Sequence, residues 1–324
     1  MERRKSVVIL GTGGTIAGVA EADTSVHYRS AQLGVGQLLQ AVPGLDRLAG
    51  CALQAEQIAQ LDSKDMDHTT WHKLALRCAQ LLASDTVAGI VITHGTDTLE
   101  ETAWFLQCVL QPVKPVVLTC AMRPSTALSA DGPANVRDAV VCAVDAQACG
   151  RGVLVVAAGA VWGARQVRKV HPYRLHAFDA QEGSPFGWVE EGRVRWAARG
   201  AASCEAVNVP PVTALPDAAA WPQVEIVLSH AGGTGAMVQA LCTAGVRGLV
   251  VAGTGNGTLH HALHAALVQA QERGVAVRRT TRCEQGQVVQ APGADDSQVS
   301  ALPAVKARIS LMLELMGWPR TDRA

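Results

Sequence analysis

Two short segments rich in glycine and threonine hold the residue types that could do chemistry. Residues 11–18 read GTGGTIAG and carry Thr15 between glycines and an apolar stretch. Residues 93–98 read THGTDT and place hydroxyls beside the carboxylate of Asp97. A threonine hydroxyl becomes a nucleophile when a nearby base takes its proton. The second segment also fits a simple helix cap, with Asp97 or Thr98 as the N-cap residue, and the residues alone leave both interpretations open.

The base for such a threonine has two candidates. His94 follows a buried apolar run directly and is equally compatible with a structural role. Lys169, in GARQVRKVH, follows a strand-end loop. A lysine acts as a base at neutral pH only when burial or neighbouring charges lower its pKa from about 10.4. A surface lysine is the simpler interpretation of this position alone.

The glycine loop does not fit a nucleotide-binding motif. After Gly11 and Gly13, the third glycine of GxGxxG is replaced by Ile16, and no GKS or GKT follows. The clustered histidines near residue 260 form no HExxH motif. We therefore expect neither a metal nor an organic cofactor.

Both segments belong to a pattern of strand, polar turn and helix. Val7–Leu10 and Gly89–Ile92 are apolar runs typical of strands that are buried on both faces. Residues 99–106 then show apolar positions at helical spacing, with two glutamates in the first turn. Similar polar turns recur near residues 15, 63, 96, 121 and 163. This predicts an α/β fold with a mostly parallel sheet whose turns line one ligand-binding edge.

The chain of 324 residues is long enough for two domains. A stretch rich in proline and alanine near residues 203–222 is the best linker candidate. We predict a larger N-terminal catalytic domain (1–205), a linker (206–222) and a smaller C-terminal α/β domain (223–324). Further predicted elements are a long loop at 19–34, a helix at 34–42, a strand at 113–118, a hairpin at 187–196, strands at 224–228, 248–252 and 275–279, and a final helix at 303–317.

Composition limits the class of protein. Charged residues make up 17% and hydrophobic residues 48% of the chain, and the formal net charge is zero. These values predict a globular protein with no electrostatic signature for nucleic acid or membranes. The apolar run Val7–Leu10 is too short for a signal peptide, and no stretch approaches the roughly 20 apolar residues of a membrane span. We expect a soluble, cytoplasmic protein.

Segments 12–18 (TGGTIAG) and 93–103 (THGTDTLEETA) resemble the two signature segments of the bacterial-type L-asparaginase/glutaminase family. The resemblance covers nearly the whole chain, and further segments follow in the family's order: AVPGLDRL, LDSKDM, AMRPSTALSADGPANVRDAV, GLVVAGTGNGTL and VKARISLMLEL. It implies hydrolysis of L-asparagine to L-aspartate and ammonia through a threonine nucleophile and an acyl-enzyme, with side activity on L-glutamine.

The resemblance also implies catalytic roles. Thr15 matches the nucleophile, and Tyr28 matches a mobile-loop tyrosine that contacts it. Thr96 matches a threonine that is hydrogen-bonded to a lysine, here Lys169. Asp97 matches the aspartate that binds the substrate's α-amino group. The remaining substrate-binding residues that the resemblance implies are Gly14, Ser63 (for the α-carboxylate), Lys64, Ala121 and Asn256.

Some positions depart from the family pattern. Lys64 stands where well-known secreted members carry glutamine or glutamate, and Thr258 stands where many have a second asparagine. The family's neighbouring subunit supplies a segment that matches Asn256 and a late acidic residue, for which Glu284 is a doubtful counterpart. The resemblance therefore implies a homotetramer, a dimer of dimers, with sites at subunit interfaces.

Two alternatives to the function that the resemblance implies remain. They are an amidase of this family that acts on another amide and a non-catalytic sensor of asparagine or aspartate.

Overall fold

The computed structural model describes residues 5–20, 28–197, 208–293 and 297–323. The chain divides into two compact units. The first is Met1–Val207 with Pro211–Ala214, and the second is Asn208–Pro210 with Leu215–Ala324. The described part of the predicted linker, from residue 208, contains two single 3₁₀ turns.

The first unit is built around a sheet with helices on both faces. Its described strands are β1 Ser6–Gly13, β2 Val19–Ala20, β3 Tyr28–Arg29, β4 Ala52–Leu61, β5 Val87–Thr93, β6 Val116–Thr119, β7 Val153–Ala157, β8 Ala160–Gly163, β9 Val167–Lys169, β10 Phe178–Ala180, β11 Gly187–Glu190 and β12 Arg193–Trp196. Its described helices are α1 Val35–Gln40, α2 Leu45–Ala49, α3 His68–Leu82, α4 Leu99–Leu110 and α5 Gly132–Val144.

The main sheet has eight strands in the order β12-β11-β8-β7-β6-β5-β1-β4. Strands β4, β1, β5, β6 and β7 run parallel, and β8, β11 and β12 extend the sheet with antiparallel pairs. This confirms the prediction of a mostly parallel sheet. The predicted hairpin is also confirmed, because β11 and β12 pair around Glu191 and Gly192, which both have positive φ.

Burial on both faces explains why the central strands are continuously apolar. Val7 and Ile9 of β1 belong to a core cluster that also includes residues of α1, α2 and α5. Val8 and Leu10, which point to the other face, are equally buried. Helices α3 and α4 pack against each other, α3 against β5, and α4 against β7. A parallel sheet covered in this way leaves only its strand ends for binding.

The order of the strands predicts where on that edge a ligand binds. From β1 the chain continues to β4 on one side of β1 and then to β5 on its other side. In open α/β sheets, ligands bind in the crevice beyond the carboxyl ends of the strands where the order reverses in this way. Thr15 follows β1 and Thr96 follows β5, so both lie at this switch point.

The second unit contains a three-stranded parallel sheet in the order β13-β14-β15. Its described elements are β13 Val224–Leu228, β14 Gly248–Gly253, β15 Ala276–Thr281, α6 Ala236–Thr243, α7 His261–Glu272 and α8 Ala304–Leu315. The prediction of a smaller α/β domain is confirmed. No helix in the described parts of the chain has the length and apolar character to cross a membrane.

Two expectations need adjustment. The strand predicted from Val113 begins only at Val116, because Val113 is exposed and Pro115 has no N–H for a sheet ladder. The predicted long loop at 19–34 contains a short ribbon, in which β2 and β3 pair antiparallel. The part of this loop from residue 21 to residue 27 lies outside the described residues.

The turns after β1 and β5 are in backbone-to-backbone contact at two glycines. Gly14 has φ 81° and ψ −172°, a conformation open almost only to glycine. A methyl group on Gly14 would overlap the Cα and N atoms of Gly95. The contact between the turns that carry Thr15 and Thr96 therefore depends on the missing side chains of Gly14 and Gly95.

We expect Gly14→Ala to lower the free energy of unfolding by about 3 kcal/mol or more, through backbone strain and overpacking together. Gly150→Ala is the matched control, because Gly150 also has positive φ (77°) but has no atom within 4 Å of an added methyl group. Its cost should be about 1 kcal/mol, from strain alone. Urea unfolding of both variants measures the difference, and equal losses would mean that the contact of the two turns is dispensable.

Candidate active site

The hydroxyl of Thr15 is buried and hydrogen-bonded to a second hydroxyl. Thr15 begins a single 3₁₀ turn directly after β1 and is 7% exposed. Its Oγ1 lies 2.7 Å from the hydroxyl oxygen of Tyr28, on β3, and either hydroxyl can donate. The structure thus brings together the predicted nucleophile and the tyrosine predicted to contact it.

The chain that links these two residues is held by a neighbouring loop. The backbone N–H and the hydroxyl of Ser125 both donate to the carbonyl of Gly18, at 2.9 and 2.6 Å. The Thr126 hydroxyl accepts a hydrogen bond from Ala20 N–H at 2.8 Å. These bonds attach the start of the β2–β3 ribbon, which carries Tyr28, to the loop that follows β6.

Lys169 joins the two functional groups of the second turn. Its Nζ donates to Thr96 Oγ1 at 2.8 Å and forms an ion pair with Asp97 Oδ1 at 2.5 Å. Thr96 is buried, and the Lys169 side chain is only 15% exposed, whereas the Asp97 side chain is 52% exposed. The cation is therefore held inside, while the carboxylate remains accessible to a second cation. The structure thus contains the Thr96–Lys169 contact that the resemblance implies and adds an ion pair with Asp97 that the sequence did not indicate.

Ser63 connects the turn after β4 to the turn after β5, which carries Asp97 and Thr98. Its Oγ accepts a hydrogen bond from Asp97 N–H at 3.1 Å, and its carbonyl accepts one from the Thr98 hydroxyl at 2.7 Å. Ser63 is almost fully buried. Because Oγ acts as an acceptor towards Asp97, its own hydrogen remains available for an anionic group.

The other predicted binding residues occupy different surroundings. Lys64 is exposed, and its Nζ pairs with Asp62 at 2.8 Å and with Asp65 at 3.4 Å. The hydrogen bond to Asp62 raises the pKa of Lys64 above its usual value. A role in binding a carboxylate would require Lys64 to leave these partners, and it stays a prediction.

Ala121 is fully buried in the loop after β6. This loop is held by the carboxylate of Asp131, which accepts hydrogen bonds from the N–H groups of Met122 and Arg123 at 3.0 Å each. Asn256 lies in the second unit, where its side chain exchanges two hydrogen bonds with the backbone of Val289, at 2.7 and 2.8 Å. Glu284 is also in the second unit and is exposed. The substrate-binding roles of Ala121 and Asn256 stay predictions.

The surroundings of His94 argue against it as the base for Thr15. His94 is completely buried, with Nδ1 2.7 Å from the Gly95 carbonyl and Nε2 2.9 Å from the Thr102 hydroxyl. Both ring nitrogens are therefore engaged by groups other than Thr15. Burial lowers the pKa of His94 to about 4, so the imidazole is neutral at pH 7. This geometry argues against His94 as the base for Thr15, and it places Lys169 in contact with Thr96 and not with His94 or Thr15 among the hydrogen bonds of the described residues.

Sequence reasoning missed two supporting residues. The sequence predicts for Glu100 only a favourable charge at the start of α4, but this residue is 7% exposed and its Oε1 accepts a hydrogen bond from Lys169 N–H at 3.1 Å. Glu100 lies at helical spacing from Ala103 and Gln107, which are also buried, and this spacing indicates that Glu100 faces the interior. The second residue is Trp71, whose Nε1 donates to Thr102 at 2.9 Å. No sequence pattern predicts this contact, because α3 meets α4 only in the folded protein.

The lowered pKa of His94 predicts a pH dependence of stability. The unfolded chain takes up a proton on this imidazole near pH 6.5, and the folded chain does so only near pH 4. The unfolded state therefore binds more protons between these values, so the contribution of His94 is complete above pH 6.5 and is lost as the pH falls towards 4.

Relative to His94→Asn, which does not titrate, the wild-type free energy of unfolding should fall by about 3 kcal/mol more between pH 7 and pH 4. Denaturant unfolding at several pH values measures this difference. Carboxylates titrate in both proteins, so their contribution cancels. Parallel pH curves would show that His94 is not buried as a neutral group.

Comparisons with known proteins agree with this arrangement. Residues 6–201 match the family model described as "Asparaginase, N-terminal", and residues 223–319 match "Glutaminase/Asparaginase C-terminal domain". L-asparaginase 2 of Escherichia coli (strain K12) is 37% identical over 318 residues, which cover 96% of this chain and 88% of that protein. Glutaminase-asparaginase of Pseudomonas fluorescens biotype A is 38% identical over 286 residues, or 87% and 76% of the two chains.

The fold has a close counterpart among solved structures. The crystal structure of probable cytoplasmic L-asparaginase from Campylobacter jejuni superposes with a TM-score of 0.85 at 34% identity and covers 99% of this chain and 97% of that one. Together with the two family models, which span most of the sequence, this similarity shows that the chain belongs to the asparaginase family.

Proposed function

We propose that this protein hydrolyses L-asparagine to L-aspartate and ammonia, with Thr15 as the nucleophile. The observation that carries the proposal is the pairing of two buried threonine hydroxyls with separate partners at the switch point of the sheet. Thr15 is bonded to Tyr28, and Thr96 is bonded to Lys169. Membership of the asparaginase family supports the choice of substrate.

The substrate is bound through its charged ends. Asp97, whose carboxylate is half-exposed, accepts the α-ammonium group. Ser63 donates its hydroxyl hydrogen to the α-carboxylate. Holding both ends places the side-chain amide against Thr15, and positioning of this kind supplies on the order of 7 kcal/mol in favourable cases.

The reaction then proceeds in two acyl-transfer steps. Thr15 Oγ1 attacks the amide carbon, and its proton leaves through the hydrogen-bonded hydroxyl of Tyr28. The C–N bond breaks as the leaving nitrogen takes up a proton, which gives ammonia and an ester of Thr15. Water then attacks the ester carbon, releases L-aspartate and restores the threonine hydroxyl.

Thr96 and Lys169 serve the same reaction from the opposite turn. Lys169 donates to Thr96 Oγ1, and the Thr96 hydroxyl in turn donates a long hydrogen bond of 3.4 Å to Asp97 Oδ1. The backbone N–H of Thr96 is the donor for the oxyanion that forms during attack. Glu100 holds the backbone of Lys169 and so keeps its side chain beside the turn.

The finer assignments are also proposals. L-glutamine is a side substrate, as the name of the Pseudomonas fluorescens relative suggests. The working form is a homotetramer, a dimer of dimers, in which Asn256 of a neighbouring subunit completes each site. The protein acts in the cytoplasm, as the description of the Campylobacter jejuni counterpart as a probable cytoplasmic L-asparaginase suggests.

The direct test is ammonia release from L-asparagine and L-glutamine at sub-millimolar concentrations. We expect turnover of L-asparagine, a smaller rate with L-glutamine, and a loss of about 1,000-fold or more in kcat for Thr15→Val, because no other residue replaces the nucleophile. Thr69→Val is the matched control, since Thr69 is exposed on α3 and should keep wild-type activity.

Other outcomes would contradict parts of this proposal. If Thr15→Val retains more than a few per cent of wild-type turnover, Thr15 is not the nucleophile. Calorimetry that shows tight binding of L-asparagine by wild-type protein without product would identify a sensor instead. Turnover of an amide other than these two amino acids would identify a different amidase.

The proposed contribution of a neighbouring subunit predicts complementation. Asn256→Ala and Thr15→Val homo-oligomers should each be strongly impaired. When both chains are co-expressed with different tags, mixed oligomers contain sites with an intact Thr15 from one chain and an intact Asn256 from the other. Ammonia release should then recover to a measurable fraction of wild type. Doubly purified mixed oligomers without recovery would show that each chain uses its own Asn256 or none.

A further inference from the structure

The peptide unit between Gly95 and Thr96 is held from its buried side. The Gly95 carbonyl lies 2.7 Å from Nδ1 of His94. A trans peptide is planar, so its carbonyl oxygen and its N–H point in opposite directions. Fixing the direction of the Gly95 carbonyl therefore also fixes the direction of the Thr96 N–H.

The hydrogen positions along this network follow from the chemistry of its members. The carbonyl of Gly95 only accepts, so the proton of the imidazole must be on Nδ1. In the neutral ring Nε2 is then an acceptor, so the Thr102 hydroxyl donates to it. The Thr102 oxygen in turn accepts from Trp71 Nε1, which can only donate. Each donor meets one acceptor, and a single tautomer of His94 satisfies the whole chain.

The network is also rigidly enclosed. His94 and Thr102 have no exposed surface, and Trp71 is 3% exposed. The Trp71 ring stacks on Phe105 with centroids 5.0 Å apart and an interplanar angle of 11°. A rotation of the Gly95 carbonyl away from His94 would leave an unpaired donor in this buried interior, which is unfavourable because the donor would lose its partner without gaining water.

The opposite end of the same peptide is the N–H of Thr96. Thr96 is 5% exposed, yet no acceptor for its N–H exists among the residues that the structure describes. Buried backbone N–H groups without a partner are rare in folded proteins. A donor that is aimed and left unsatisfied in this way suits an oxygen atom that arrives with the substrate.

We propose that His94 is a positioning residue, whose Nδ1–H holds the Gly95 carbonyl and thereby aims the Thr96 N–H at the substrate oxygen on which negative charge develops. This inference rests on the proposed amide hydrolysis. His94 touches neither substrate nor Thr15. Because it acts by orienting the Gly95–Thr96 peptide plane, it stabilises the transition state and does not change substrate binding in the ground state.

Two substitutions separate the positioning role from simple packing. In His94→Asn the side-chain amide nitrogen takes the place of Nδ1 and can still donate to Gly95. In His94→Gln the polar atoms lie near the place of Nε2, so the carbonyl of Gly95 loses its donor. We expect His94→Gln to lower kcat for L-asparagine about 100-fold, the usual effect of losing one oxyanion donor. KM should change less than about 3-fold, because ground-state binding is unaffected.

His94→Asn should keep kcat within about 10-fold of wild type. The smaller asparagine leaves a cavity, so thermal unfolding should find His94→Asn less stable than His94→Gln although it is more active. A purely structural role predicts the reverse, with activity following stability. Equal kcat values for the two variants would overturn the proposal.

A measurement on wild-type protein keeps the inference testable if either variant fails to fold. Histidine labelled with ¹⁵N should show His94 protonated on Nδ1 and unprotonated on Nε2 at pH 7, and the opposite tautomer would refute the proposal. Wild-type ammonia release is measured in parallel. Its absence would overturn the proposed function and this inference together, whereas active wild type with the wrong tautomer would overturn only the inference.

Discussion

The contact between Gly14 and Gly95 is the constraint on which the rest of the site depends. Parallel strands β1 and β5 are neighbours in the sheet, but adjacency of strands alone does not bring the turns beyond them into contact. The turns touch through backbone atoms, and a side chain at Gly14 would separate them. Because Thr15 and Thr96 each follow one of these glycines directly, the contact between the two turns that carry them results from the absence of two side chains.

Two hydrogen-bond networks with different electrostatics meet at the second turn. Behind the turn, the neutral network of Trp71, Thr102 and His94 is sealed from water. In front of it, Lys169 and Asp97 carry opposite charges, and Asp97 remains half-exposed. A buried neutral network holds a fixed geometry without the desolvation cost of charge. A charged pair at the surface of the site can exchange partners when a zwitterionic substrate arrives.

The positions of the predicted residues followed from local rules in some cases and not in others. Thr15 and Thr96 follow from a local rule, because a polar turn after a buried strand lies at the carboxyl edge of a parallel sheet. Ser63 follows the largely exposed edge strand β4, and only the family resemblance indicated its role. Lys169 could not be placed in this way, since on its residues alone it was better explained as a surface lysine. Only the short strand pair β9–β10, together with Glu100, turns its side chain towards Thr96.

The sequence by itself determined the α/β fold, because apolar runs and helical spacing depend on neighbours in the chain. It also predicted Thr15, Thr96 and Asp97 as residues of the chemistry, through the two signature segments. The tertiary structure alone decided what each of these side chains touches. His94 shows the reason: its burial and its tautomer depend on Thr102 and Trp71, which belong to two different helices. Contacts between distant segments depend on how elements pack, and no periodicity within one segment reports that packing.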